Sequence, residues 1–135
     1  MVTPYEHIVC CVDESGASKA ALARARTLGA RKLTLVHVMS LPVVYSFPVF
    51  GYVPEPPELR GQVEEWIRGL VRPGEDWFVG DGHAATVACE FAAANGADLM
   101  VAGAHRGFVD RVLLGSFAGH LSHHAPCDVL LVRPT

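Results

Sequence analysis

Apolar residues gather along the chain into five short runs, HIVCCV, KLTLVHVM, EDWFV, DLMVAG and DVLLV, and between these runs the apolar spacing lengthens to that of a helix. Strand-like runs alternating with helical stretches predict βαβ units and a parallel sheet. HIVCCV, DLMVAG and DVLLV are nearly all apolar, the pattern of strands covered on both faces, so the sheet is expected as the middle layer of a three-layer α/β sandwich. Of the helical stretches, SKAALARARTLG carries Ala21, Leu22, Ala25 and Leu28 on one face and arginines on the other, and stops at Gly29. PELRGQVEEWIRGLV turns Leu59, Val63, Trp66, Ile67 and Leu70 inward. HAATVACEFAAANG is Ala-rich and ends at Gly96, and a fourth helix begins near Gly115 and ends before Pro126. Residues 40–56, SLPVVYSFPVFGYVPEP, hold four prolines and keep no steady period. They read as an irregular apolar loop, packed on its own domain or serving as a lid.

Composition narrows the class. The chain has 135 residues, half of them hydrophobic, which is one domain with a substantial core, spanning residues 1–135. A net charge of -3 leaves no global basic field for a polyanion, so nucleic acid is not an expected partner. No apolar run approaches the roughly 18–20 residues that span a bilayer, so no membrane partner is expected. MVTPYEH lacks the basic start and apolar stretch of a signal peptide, and the expected location is the cytoplasm. Cys10, Cys11, Cys89 and Cys127 form no CxxC pair and no zinc-like spacing, and read as reduced, mostly buried small hydrophobes. Cys10 and Cys11 are adjacent in a strand and point to opposite faces, which argues against a bridge between them.

Ligands of parallel α/β sheets bind beyond the carboxyl ends of the strands. Those ends are Val12-Asp13, Val38-Met39 and Ala102-Gly103, and the last runs into GAHRGFVDRVLLGS. Asp13 heads ESGAS before the first helix, where a carboxylate serves as a cap or turn former, or as a ligand contact. Gly115-Ser116 opens the fourth helix, where free N–H groups and the helix dipole favour an anion, though an ordinary serine-containing start has the same appearance. GDGHAA, Gly80 to Ala85, fits a dinucleotide fingerprint only superficially, because Asp98 begins its strand and so lies at the amino edge, where a turn is its expected job. No P-loop motif occurs. His120, His123 and His124 share helical spacing that could face a metal, but no suitable ligand completes the shell, so no metal site is expected. GSFAG is not a nucleophile elbow, and no dedicated catalytic constellation is visible.

HIVCCVDESGASKAAL, LTLVHV, GADLMVAG and LLGSFAGHLSHHAPCDVLLVRP together resemble the universal stress protein family from end to end. The resemblance implies a five-stranded parallel sheet flanked by four helices, Rossmann-like and similar to the adenine nucleotide alpha hydrolases. It implies a stress-response module, one branch of which binds ATP, with Mg2+, and hydrolyses it slowly at most. By that resemblance Asp13 meets the adenosine, Val38 lies beside the adenine, Gly103 approaches the phosphates, and Gly115 with Ser116 holds their far end. The ATP-binding branch shows G-x2-G-x9-G-[ST], whereas here Gly103, Gly107 and Gly115-Ser116 give G-x3-G-x7-G-S. The loop is one residue shorter, and His105 or Arg106 falls where the second glycine belongs. Arg106 and His105 can supply side-chain donors where the backbone turn is altered. The other branch is a dimeric interaction module without nucleotide. The last strand, through Asp128, Val129, Leu130, Leu131, Val132 and Arg133, reads as an apolar sheet edge, and the resemblance implies pairing there into a homodimer.

Overall fold

A computed structural model of the chain describes residues 4–39, 57–104 and 116–134. The apolar loop expected at 40–56 lies outside the described residues. Strands β1 (His7–Cys11), β2 (Lys32–Met39), β3 (Asp76–Asp81), β4 (Leu99–Gly103) and β5 (Asp128–Val132) form one parallel sheet in the order β3-β2-β1-β4-β5. Helices α1 (Gly16–Thr27), α2 (Pro57–Leu70), α3 (Ala84–Ala94) and α4 (Ser116–His124) connect them. This is the three-layer fold expected from the alternating runs.

Because successive strand residues face opposite ways, each strand feeds two cores. Ile8, Cys10, Leu35 and Val101 pack with Ala21 and Leu22 of α1 and Ile67 of α2. On the other face Val9, Val36 and Met100 pack with Ala88 and Ala92 of α3 and Leu121 of α4. Cys10 and Cys11 accordingly belong to different cores, and all four cysteines are free thiols. Burial pushes the Cys10 thiol up to about 12.

Helix boundaries follow local chemistry. Ser15 caps α1, its Oγ accepting from the Ser18 N–H at 3.1 Å. After α1 and α3 the chain turns at Gly29 and Gly96, with φ of 65° and 67°, values that glycine adopts without a Cβ penalty. Arg26 near the end of α1 donates through Nε and Nη2 to the two oxygens of Glu75, both at 2.9 Å, and through Nη2 to the Leu70 carbonyl at 2.6 Å. That fork ties α1 to the end of α2 and the approach to β3.

Two details differ from the pattern. Leu59, expected to face inward, is 41% exposed. β3 runs two residues past EDWFV, because Gly80 and Asp81 continue the pairing with Val38 and Met39, while Arg60 donates to the Val79 carbonyl and the Asp81 carboxylate.

Asp98 sits at the amino edge, as expected, but does more than make a turn. Its Oδ1 accepts from the His7 N–H and its Oδ2 from the Glu6 N–H, both at 2.9 Å, so it clasps the start of β1 to the start of β4. Desolvation pushes this carboxyl up, but the backbone N–H groups of Glu6, His7 and Asp98 itself, together with the charge of His7, hold it below its usual range.

Candidate functional site

At the carboxyl edge β1 and β4 separate. Their pairing covers Ile8–Leu99, Val9–Met100 and Cys10–Val101, whereas β1 stays with β2 to Cys11–Val36 and β4 stays with β5 to Gly103–Val132. Chain order reverses between β1 and β4, which is where open α/β sheets take their ligands. A cavity of about 290 Å³ occupies this place.

Small side chains leave the space open. Ala84 and Ala88, one turn apart on α3, form one wall with Ala102 of β4 and Phe117 of α4. Val36 and Val38 of β2 form the facing apolar wall, and Cys11 lies at the end of β1. Burial pushes the Cys11 thiol well up, and Cys10, Cys89 and Asp13 nearby add to the rise. It is therefore a neutral thiol rather than a thiolate nucleophile.

The polar side of the cavity is the turn from β1 into α1. Asp13 Oδ1 accepts from the Ser15 N–H at 2.7 Å, and the Asp13 N–H donates to Ser18 Oγ at 2.8 Å. Ser15 thus holds the cap position, and Asp13 shapes the turn before it, which resolves the two structural roles open to this carboxylate from sequence. All three residues line the cavity. His37 lines it as well, its Nδ1–H donating to the Val12 carbonyl at 2.7 Å.

Asp13, Val38 and Gly103 are thus brought together on one cavity. Gly103 has a packing reason to be glycine, since a Cβ there would meet the Ala17 backbone carbon at 2.6 Å. His105, Arg106, Gly107 and Gly115 lie outside the described residues. Ser116 is the first residue of α4, beside the cavity-lining Phe117. The alanine wall, Phe117, Ser15, Ser18 and His37 were missed by sequence reasoning. Alanine at i, i+4 on a sheet-facing helix signals close packing as readily as a cavity wall.

The histidines of α4 meet one from α3. His120 stands 5.4 Å, centroid to centroid, from His83 and 4.5 Å from His124, and His123 is 6.4 Å from His124. Desolvation, then His124 and His83, hold His120 below the usual histidine range. Among the described residues no group of three or more His, Cys, Asp or Glu side chains is placed to hold a metal ion. No helix among them is long and apolar enough to cross a membrane.

Residues 4–133 match the universal stress protein family. The chain belongs to that family. Universal stress protein A homolog 1 of Coxiella burnetii is 31% identical over 138 residues, covering 95% of this chain and 96% of the relative. Among solved universal stress proteins, UspA from Lactobacillus plantarum superposes with a TM-score of 0.72 at 22% identity, over 96% of this chain and 98% of that one. A universal stress protein family protein from Arabidopsis thaliana with AMP bound gives a TM-score of 0.63 at 16% identity, over 96% and 92% of the two chains. The universal stress protein fold expected from the motifs is therefore the fold observed.

Proposed function

We propose that this universal stress protein binds an adenine nucleotide, ATP, between the carboxyl ends of β1 and β4, and works in the cytoplasm as a homodimeric stress-response module. The observation that carries the reading is the cavity itself: apolar walls suited to a base, with one polar edge at Asp13, Ser15 and Ser18 suited to a ribose. Val38 contributes beyond its side chain. The last β1–β2 bond runs from the Val12 N–H to the Val36 carbonyl, and two residues further on the N–H and C=O of Val38 turn the same way, a donor and an acceptor for the edge of a base. Asp13 meets the ribose, and Gly103 stands where the phosphates leave the cavity. His105, Arg106, Gly107, Gly115 and Ser116 hold the phosphate chain against the start of α4. AMP bound to the Arabidopsis relative supports the same class of ligand here.

Calorimetric titration of the purified protein with ATP, ADP, AMP and adenosine tests the reading. Saturable one-to-one binding of the adenine series is expected. If none of the four binds, the nucleotide reading is lost and the interaction module takes its place. One feature favours that second reading: β5 is a sheet edge whose Val129, Leu130 and Leu131 stay half-buried, a surface suited to a second copy of the chain.

A further inference from the structure

His37 lines the cavity, and the nucleotide reading leaves its chemistry unused. The ladder between β1 and β2 ends with the Val12 N–H on the Val36 carbonyl at 2.9 Å. The carbonyl of Val12 accepts from the His37 ring at 2.7 Å. A carbonyl only accepts, so Nδ1 carries the proton and the tautomer is fixed. Trp66 of α2 meets the same ring edge-on, 5.2 Å between centroids at 77°, so two separate elements set its orientation.

The Val12 carbonyl and the Asp13 N–H belong to one planar peptide. That plane is gripped at both ends, the carbonyl by His37 and the N–H by Ser18 Oγ at 2.8 Å. Its orientation sets the direction in which the Asp13 side chain leaves the backbone.

We propose that His37 is a positioning residue of the cavity, holding the Val12–Asp13 peptide so that the Asp13 carboxylate is aimed at the ribose of the bound nucleoside. This rests on the reading above, in which Asp13 meets that ribose. Leucine at 37 keeps the apolar contact with Trp66 and loses the donor, whereas an asparagine amide places an N–H close to where Nδ1 stood.

Adenosine and adenine binding are measured for the wild type, His37→Leu, His37→Asn, Asp13→Ala and the Asp13→Ala/His37→Leu double variant. His37→Leu weakens adenosine about tenfold, the scale of one lost hydrogen bond, and leaves adenine, which has no ribose, unchanged. His37→Asn restores most of the loss, and in the Asp13→Ala background His37→Leu adds less than about twofold, because the two residues act through one contact. Equal losses for adenosine and adenine, or full additivity with Asp13→Ala, overturn the proposal.

Amide hydrogen exchange in the ligand-free protein judges His37 separately. The Asp13 and Ser15 N–H groups exchange about tenfold faster in His37→Leu and recover in His37→Asn, with the amides of β4 and β5 unaltered. Unchanged exchange at Asp13 and Ser15 sinks the positioning role even where adenosine binds. Should the wild type bind no adenosine while the exchange results appear as expected, the nucleotide reading falls and the grip of His37 on the turn stands, with its aim at a ribose withdrawn.

Discussion

A Cβ on Gly103 would lie 2.6 Å from the backbone carbon of Ala17 and 2.8 Å from its carbonyl oxygen. Both are main-chain atoms of α1, so no side-chain rotation relieves the clash. Gly103→Ala therefore forces the start of α1 away from β4 and is expected to destabilise the ligand-free protein by about 1–3 kcal/mol, the scale of overpacking. A denaturant titration checks it, and an unchanged midpoint would show that the helix yields freely.

Arg26 and Glu75 give the protein an acid-sensitive fastening. The hydrogen bonds from Arg26 hold the Glu75 carboxyl below its usual range against the opposing effect of burial, and the Arg72 N–H assists. Stability from this pair is fully present above the unfolded carboxyl value of about 4.3 and is lost as pH falls through the lower folded value. Arg26→Ala should cost about 2–3 kcal/mol at neutral pH by stranding a largely buried carboxylate. Glu75→Gln should flatten the acid limb of stability against pH, and an equally steep limb would assign that loss to other groups.

His120 acts at higher pH. Its folded value is depressed, so its contribution is present above about 6.5 and is lost as pH falls through the folded value. The groups acting on it are His124 on α4 and His83 at the start of α3; Glu90 of α3 and Asp128 of β5, carboxylates on the elements packed against α4, are not among them. Urea midpoints measured between about pH 7 and 5 should fall less in His120→Gln than in the wild type, with the larger gap at low salt. Parallel curves would remove His120 from the acid response.

Cys11 reports on the cavity. Its thiol is held neutral, so iodoacetamide should modify it far more slowly than an exposed cysteine at neutral pH and faster as pH rises. If adenosine binds as proposed, it should slow the reaction further, because Cys11 lines the cavity. Peptide mass spectrometry measures both rates, and a rate indifferent to saturating adenosine would place the ligand elsewhere.

Arg106 tests the shortened loop. Glycine permits positive φ and close approach to phosphate, which His105 or Arg106 adopts only with strain. If Arg106 meets the phosphates as proposed, Arg106→Ala should weaken ATP by about 1.5–3 kcal/mol while sparing adenosine, which carries no phosphate charge. Inserting a glycine between His105 and Arg106 should strengthen ATP binding and lessen its dependence on the arginine. Calorimetry on both variants decides, and equal losses for ATP and adenosine would rule out a phosphate contact.

What could be foreseen from sequence divides along physical lines. β1 and β4 were legible because strands buried on both faces are apolar at every position, and α1 because its apolar stripe ends at Gly29. Asp98 could be placed at the amino edge from its position before β4, but its clasp on Glu6 and His7 depends on β1 and β4 being neighbours, which strand order alone decides. Asp13 and Val38 stood out at strand ends, whereas His37 looked like any strand residue until the Val12 carbonyl was found against its ring. The contact between Gly103 and Ala17 was illegible for the same reason: it depends on how closely α1 crosses β4.

The clasp at Asp98 also bears on the shape of the cleft. β1 and β4 are fastened to each other at their starts and not paired with each other past Cys10 and Val101, so they diverge like the two limbs of a forceps whose joint lies at the far end from the cavity. β5 is laddered to β4 along its whole length to Val132, so one wall of the cleft is continuous with the outer edge of the sheet.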